Sequence, residues 1–260
     1  MKKNNKKDTG WGTVAVWYNT LIRGNDTYQK EVILPHLLRL VAPKSGKRIA
    51  DIGCGQGFFS FAFAESGATV TGFDIAKELT ALATTHAKEH SKLNVAFYTA
   101  PANQLPARDN AFDTALFVLS LQNIEEYREA VAESARVLKQ GGELFIVLNH
   151  PAFRIPTSSS WEFDEATKTQ YRRVDRYALP FSTKIDMTPG TADSKKKIYT
   201  LSFHRSLQDY VKAVTKAGLV VTGLEEWHSH RTSQKGPRAE AEDAARKEFP
   251  LFLMLRAQKQ

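Results

Sequence analysis

The residues whose types and spacing suit chemistry in this chain are gathered in Arg48-Ile-Ala-Asp51-Ile-Gly53-Cys54-Gly55-Gln-Gly57. A short apolar run enters a Gly-x-Gly-x-Gly turn, and Phe58 to Glu65 follows with the pattern of a helix. Glycines at that spacing let the backbone turn tightly and let a ligand approach it closely. The helix start beyond them offers free N–H groups and the positive end of a dipole. Such a turn binds a nucleotide-like ligand in the first strand–helix crevice. The dinucleotide fingerprint would put its third glycine at position 58, which is Phe58; here the glycine is Gly57. Asp51 lies inside the approach to the turn. Its carboxylate repels a pyrophosphate and suits an ammonium group.

S-adenosylmethionine (SAM) carries an ammonium and a sulfonium and no phosphate, so it fits that turn. The next apolar run ends at Gly72-Phe73-Asp74, with Ile75 beyond it. A carboxylate about 20 residues past the glycine loop can accept both hydroxyls of an adenosine ribose. The same residue type also caps the N-termini of helices, and Asp74 stands open to both readings.

The elements that must position these residues alternate along the chain. Val14 to Arg23 and Tyr28 to Val41 carry apolar positions at helical spacing, with Pro35 marking a break or a first turn. Strands are expected at Arg48–Ile52, Ala68–Phe73, Val95–Thr99, Phe112–Leu119 and Glu143–Leu148. Helices are expected at Phe58–Glu65, Leu79–Glu89 and Glu125–Leu138, the last stopped by Gly141 and Gly142. That rhythm implies βαβ units and a parallel sheet. It breaks over Pro151 to Ser202 and resumes with a helix at Leu207–Ala217 and a strand at Val220–Glu226. A helix at Ala239–Lys247 and a strand at Phe249–Ala257 close the chain.

Asp51 to Gly57, Asp74, Phe112-Asp113 and Leu138-Lys-Gln-Gly141-Gly142 resemble the class I SAM-dependent methyltransferases over about residues 45 to 150. The resemblance implies an α/β fold: a Rossmann-like, mostly parallel seven-stranded sheet in the order 3-2-1-4-5-7-6, with helices on both faces and an antiparallel last strand. It divides the chain into a tail and lid helices (1–44), a SAM-binding core (45–150), a cap insertion after strand five (151–205) and the rest of the core (206–260). It implies that Gly53 and Gly55 meet the methionine portion of SAM and that Asp74 holds the ribose. Asp51, Gly57, Ile75 and Phe117 complete the expected cofactor set. The family's acid after the third strand is missing from Thr99-Ala100-Pro101-Ala102-Asn103, so Ala102 and Asn103 are expected to border the adenine. After strand four, Phe117-Val118-Leu119-Ser120 lacks the Asn-Pro-Pro-Tyr or Asp-Pro-Pro-Tyr signature of amino-methylating DNA and glutamine methyltransferases.

Catalytic candidates sit where strands end. His150 follows strand five in Leu148-Asn149-His150-Pro151, as a general base or as a hydrogen-bonded turn. Gln122 and Asn123 follow strand four, where the family lines its acceptor pocket. Tyr18 and Tyr28 fall in helices that in this family fold over SAM. His204-Arg205 closes the insertion and is a weaker candidate for the same cleft. Cys54 is read as a small loop residue rather than a nucleophile. No metal-ligand spacing and no Gly-x-Ser-x-Gly elbow occur, so neither a metal nor hydrolase chemistry is expected.

The 260 residues carry a formal charge of +8, with 42% hydrophobic and 25% charged residues, as in a soluble globular protein. Lys2, Lys3, Lys6 and Lys7 hold part of that charge in a polar tail. One cysteine, no signal-peptide core and no apolar run of roughly 20 residues point to a cytoplasmic protein without a membrane segment. Arg172, Arg173, Arg176 and Lys184 in the insertion interleave with Trp161, Tyr171 and Tyr177. They suit an anionic or aromatic small molecule, a nucleic-acid strand, or a solvated β-hairpin with charges paired internally. The leading expectation is methyl transfer to a small-molecule acceptor. An RNA or other nucleic-acid methyltransferase and a non-catalytic SAM-binding regulator are the alternatives.

Overall fold

The structure, a computed structural model, describes residues 10–22, 24, 26–188 and 197–260. The lysines at 2, 3, 6 and 7 lie outside the described residues. The chain opens with α1 (Ala15–Ile22), a π-helical turn (Gln29–Ile33) and α2 (Leu34–Val41). Pro35 falls in the first turn of α2, where its missing N–H costs nothing. The wider π turn before it leaves room for the pyrrolidine ring.

The core then alternates: β1 (Arg48–Ile52), α3 (Phe58–Glu65), β2 (Thr69–Asp74), α4 (Lys77–Glu89), β3 (Val95–Thr99), β4 (Phe112–Val118), α5 (Tyr127–Val137) and β5 (Leu138–Asn149). Two hairpins follow, β6 (Ser159–Asp164) with β7 (Thr169–Val174), and β8 (Phe181–Asp186) with β9 (Tyr199–His204). The chain ends with α6 (Leu207–Lys216), β10 (Leu219–Trp227), α7 (Ala239–Glu248) and β11 (Phe252–Lys259). The main sheet runs β10-β11-β5-β4-β1-β2-β3, and β11 is antiparallel to both of its neighbours. This is the expected seven-stranded order, with β10 and β11 as the sixth and seventh strands.

Side chains alternate across the sheet and build two cores. Leu116, Val118, Phe145 and Val147 join Ile49 and Val70 on one face. Ala115, Phe117, Ile146 and Leu148 join Ile52 and Phe73 on the other. Each such Leu, Ile or Phe contributes about 1.5–3 kcal/mol through burial. Because both faces of the central strands are covered, these strands read as continuous apolar runs in the sequence.

Several boundaries differ from the periodicity: the strand expected from Phe249 begins at Phe252 and the helix expected from Leu79 begins at Lys77. The helix expected from Glu125 begins at Tyr127, and β5 begins at Leu138, ahead of the glycines. Leu138 pairs with Phe112 and Glu143 with Thr114, so the intervening residues bulge out of the ladder. Gly141 supplies the positive φ (74°) that this excursion uses. No helix among the described residues is long and apolar enough to cross a membrane.

Candidate active site

The glycine loop is tied down before any ligand arrives. The Gly53 and Cys54 N–H groups both donate to the Phe73 carbonyl, at 2.7 and 3.0 Å, fastening the end of β1 to the end of β2. Gly53 has φ +74°, and a Cβ built there would lie 2.4 Å from the Ser120 Cβ. Ser120 in turn donates to the Ile52 carbonyl at 2.7 Å. The turn is glycine-rich partly because the residue after β4 crowds it. Gly57 has φ +90° and abuts the Phe97 and Phe61 rings. It starts α3 and does not border the cavity; its role is in packing.

Asp51 is almost wholly buried (1% exposed) at the end of β1, where the Ser60 hydroxyl donates to its Oδ2 at 2.6 Å. Burial pushes its carboxyl up to about 6, against the pull of Ser60. Asp74 stands at the end of β2. Its Oδ2 accepts from the Gly55 N–H at 2.9 Å and its Oδ1 from the Ala76 N–H at 2.8 Å. The N-cap of α4 is Ala76, so Asp74 is not the cap residue. Burial raises its carboxyl above the ordinary value, and the backbone donors only partly offset this. Each oxygen keeps a further lone pair for a ligand hydroxyl. Cys54 is buried, and desolvation pushes its thiol well up, which matches an inert loop residue.

These residues border a cavity of about 180 Å³ at the carboxyl ends of β1, β2 and β4. Asp51, Gly53, Gly55, Asp74 and Ile75 form one part of its wall, with Ala102 and Asn103 beside them. The structure therefore gathers seven of the expected cofactor residues around one space. Asn123, Ile124, Glu125 and Glu126, and Leu201 and Phe203 of β9, line it as well. Trp11 and Ile22 reach it from the N-terminal segment. Among the described residues, the acidic ones lining the cavity are Asp51, Asp74, Glu125 and Glu126, and none of the lining residues is Lys, Arg or His.

Several expected residues are elsewhere. Phe117 is fully buried in the core beneath α5 and α6, because its neighbour Val118 takes the cavity-facing side of the strand. Tyr28 packs edge-on against Phe252 and His230, and its hydroxyl meets the Ser229 hydroxyl at 3.2 Å. Gln122 turns away and accepts the Asn149 N–H at 2.9 Å. His150 is 4% exposed and has both ring nitrogens engaged. Its Nε2–H donates to Glu226 at 2.7 Å, and its Nδ1 accepts from the Ala152 and Phe153 N–H groups at 3.2 and 3.3 Å. This is the hydrogen-bonded turn, and His150 is not among the residues that line the cavity. Tyr18 is on α1, and its side chain lies outside the described residues.

The insertion divides its labour. The β6–β7 hairpin leans on the C-terminal part of the core, with Trp161 edge-on to Phe249 and Arg238 paired with Glu165. Its cations are used locally. Arg172 donates to the Phe153 carbonyl and the Ser159 hydroxyl and stacks on Trp161, while Arg173 pairs with Asp175. Arg176 lies over the Phe181 ring at 4.3 Å. Only the second hairpin reaches the cavity, through β9. Leu201, Phe203, Trp11 and Ile22 were not legible as site residues. The sole signal was the Phe203-His204-Arg205 segment at the end of the insertion.

Among the described residues no group of three or more His, Cys, Asp or Glu is placed to hold a metal ion. The set that the described residues place around the cavity, carboxylates and backbone without a cation among them, fits an ammonium, a sulfonium and ribose hydroxyls and does not fit a pyrophosphate.

Comparison with known proteins agrees. Residues 50–146 match the family described as a methyltransferase domain. A crystal structure of an S-adenosylmethionine-dependent methyltransferase from Mesorhizobium loti has a TM-score of 0.69 at 22% identity, covering 90% of this chain and 100% of that one. Residues 50–146 are thus a methyltransferase domain, and the chain has the fold of the class I SAM-dependent methyltransferases, whose cofactor is SAM. Within that class, an uncharacterized methyltransferase of Bacillus subtilis, YcgJ, is 27% identical over 194 residues, 65% of this chain and 76% of its own length. The ubiquinone biosynthesis O-methyltransferase of Paracidovorax citrulli is 34% identical over 106 residues, 40% of this chain and 44% of that one. This chain therefore spans less than half the length of that quinone-pathway relative.

Proposed function

We propose that the protein methylates an uncharged, largely apolar small molecule, with an aromatic hydroxyl as the acceptor group. The observation that carries this reading is the cavity wall as the described residues form it: four acidic residues, the apolar Leu201, Phe203, Trp11 and Ile22, and among them no cation. Among the described residues the wall offers an anionic acceptor no cationic partner. The arginines of the insertion, which suggested an anion, are occupied away from the cavity. The same absence of cations argues against a nucleic-acid strand, which needs phosphate partners. The quinone-pathway relative acts in ubiquinone biosynthesis by its name, which supports a small aromatic acceptor here.

SAM, when bound, supplies a methyl group already activated by its sulfonium. The residues of the chain do the rest. Asp51 faces the ammonium, Asp74 accepts the ribose hydroxyls, and Ala102 and Asn103 border the base. Asn123 to Glu126, with Leu201 and Phe203, hold the acceptor in line with the transferring carbon and exclude water. With the methyl group supplied by bound SAM, a carboxylate of that wall, or water, would take the acceptor's hydroxyl proton.

The test is isotope-labelled SAM with a panel of uncharged hydroxyarenes and quinols, their carboxylated counterparts, and RNA. Labelled product from the uncharged members is expected. Preference for the carboxylated members, or salt-sensitive labelling of RNA, would overturn the reading.

A further inference from the structure

Arg205 follows β9 directly and precedes the capping box that starts α6. It is 6% exposed. Its guanidinium reaches across the fold to the segment after β4. Nη2 donates to the Ile124 carbonyl at 2.7 Å and to the Glu125 carbonyl at 2.9 Å, and Nη1 to the Leu121 carbonyl at 3.4 Å. Its plane lies over the Tyr127 ring at 3.9 Å and near the Phe203 ring at 5.1 Å. Among the described residues no carboxylate pairs with it.

A buried cation held by carbonyls, the Tyr210 hydroxyl and ring faces is an expensive way to fill space, and an apolar side chain of similar volume would pack there. What the guanidinium alone provides is a rigid fork that satisfies several acceptors in one fixed geometry. The carbonyls it grips belong to the segment that carries Asn123, Ile124, Glu125 and Glu126 along the cavity. Arg205 itself extends from the strand that presents Leu201 and Phe203 to the same space. The segment after β4 and the second hairpin are about 80 residues apart in sequence (|i−j| of 80 to 84 for the three bonds), and these bonds fasten one to the other.

We infer that Arg205 is a positioning residue for methyl transfer: it locks the loop at 121–126 against β9 and so sets the width of the acceptor end of the cavity. Arg205 does not border the cavity and touches neither cofactor nor acceptor. The inference rests on the reading of that end as the acceptor end.

The test compares Arg205→Lys and Arg205→Met with the parent protein. Lysine keeps the charge but offers a single point donor, and methionine keeps the bulk alone. Three readouts apply: SAM affinity by calorimetry, amide hydrogen exchange at 121–127, and 2-naphthol affinity of protein saturated with S-adenosylhomocysteine. The Met variant should bind SAM within about twofold of the parent, exchange about tenfold faster at 121–127, and bind 2-naphthol about tenfold more weakly, as expected for lost charged hydrogen bonds. The Lys variant should fall between. Unchanged exchange and unchanged 2-naphthol affinity in the Met variant would overturn the inference. So would a uniform loss of SAM affinity, fold stability and exchange protection across the whole chain, which marks a general structural role. If the parent protein binds SAM but not 2-naphthol, the acceptor reading has failed. The exchange at 121–127 then still decides whether Arg205 holds the loop.

Discussion

The Ser60 hydroxyl donates to the Asp51 carboxylate at 2.6 Å, joining the last turn of β1 to the first turn of α3 across the whole glycine loop. One bond thus ties the two ends of the loop together and favours the ionised form of a buried carboxyl. The Asp51 carboxyl is pushed up to about 6 by burial, above its ordinary value of 3.8. A carboxyl raised on folding binds its proton more tightly in the folded state, so the free protein loses stability as pH rises from about 4 to about 6. The whole effect is on the order of 3 kcal/mol. An ammonium beside the ionised form reverses the preference. SAM affinity is therefore expected to rise with pH and to level off above about 6, and Asp51→Asn should flatten the profile. Calorimetric titration at pH 5, 6, 7 and 8 checks it. A flat profile in the parent protein would remove Asp51 from the ammonium site.

Asp74 connects the loop to the start of α4 and has lone pairs left for ribose. Replacing it by Asn keeps the shape and removes the charge. SAM affinity should fall by about 1–3 kcal/mol through weakened charged hydrogen bonds. A melting curve of the free variant serves as control, because the Gly55 and Ala76 N–H groups lose a charged acceptor too. Affinity equal to the parent's would take Asp74 out of the cofactor site.

His150 should act on stability and not on turnover. Its ring satisfies two backbone N–H groups and Glu226 in a buried turn. His150→Ala should cost about 1–3 kcal/mol of fold stability, with SAM affinity in the folded fraction unchanged. Burial holds the ring's pKa below the ordinary 6.5, against the upward pull of Glu226. A histidine depressed on folding contributes fully above about 6.5, and that contribution fades as pH falls. The parent's melting temperature should therefore drop on acidification below 6.5, and part of the drop should be missing in His150→Asn. Turnover lost at unchanged stability would restore the catalytic role.

Gly53 and Ser120 form a steric pair. Gly53→Ala places a methyl 2.4 Å from the Ser120 Cβ at a backbone φ of +74°. Strain at such a φ alone costs about 1–3 kcal/mol. The variant should be destabilised and bind SAM poorly. Ser120→Gly in the same chain should recover the steric part and leave the φ part. A double variant no more stable than Gly53→Ala would show that the clash is relieved by other means.

Much of the core could be read from the chain because its signals are local. The strand–turn–helix at 48–65 has its glycines, Asp51 and helix start within one short segment, and covalent spacing alone brings them together. The run ending at Asp74 carries the same kind of information. Central strands covered on both faces must be apolar throughout, and so β1, β4 and β5 stood out. The glycines at 141 and 142 were taken for a helix stop, whereas they shape a bulge in β5, because a glycine pair breaks a helix and a ladder alike.

The chain by itself determined the strand–helix alternation and the glycine turn with Asp51 and Asp74 at its sides, since these lie in contiguous motifs, and through the resemblance those motifs carry it implied the sheet order and the cofactor class. The tertiary structure decided the acceptor end. Whether Phe117 or Val118 faces the cavity depends on strand alternation relative to partners far away in sequence. Whether His150 and the insertion arginines are free or occupied depends on Glu226, Phe153 and Asp175, which the fold brings to them. Leu201 and Phe203 reach the cavity only because the second hairpin packs over the segment after β4, with Arg205 gripping its carbonyls. Such contacts join residues of unrelated local pattern, and they exist only once the chain has folded.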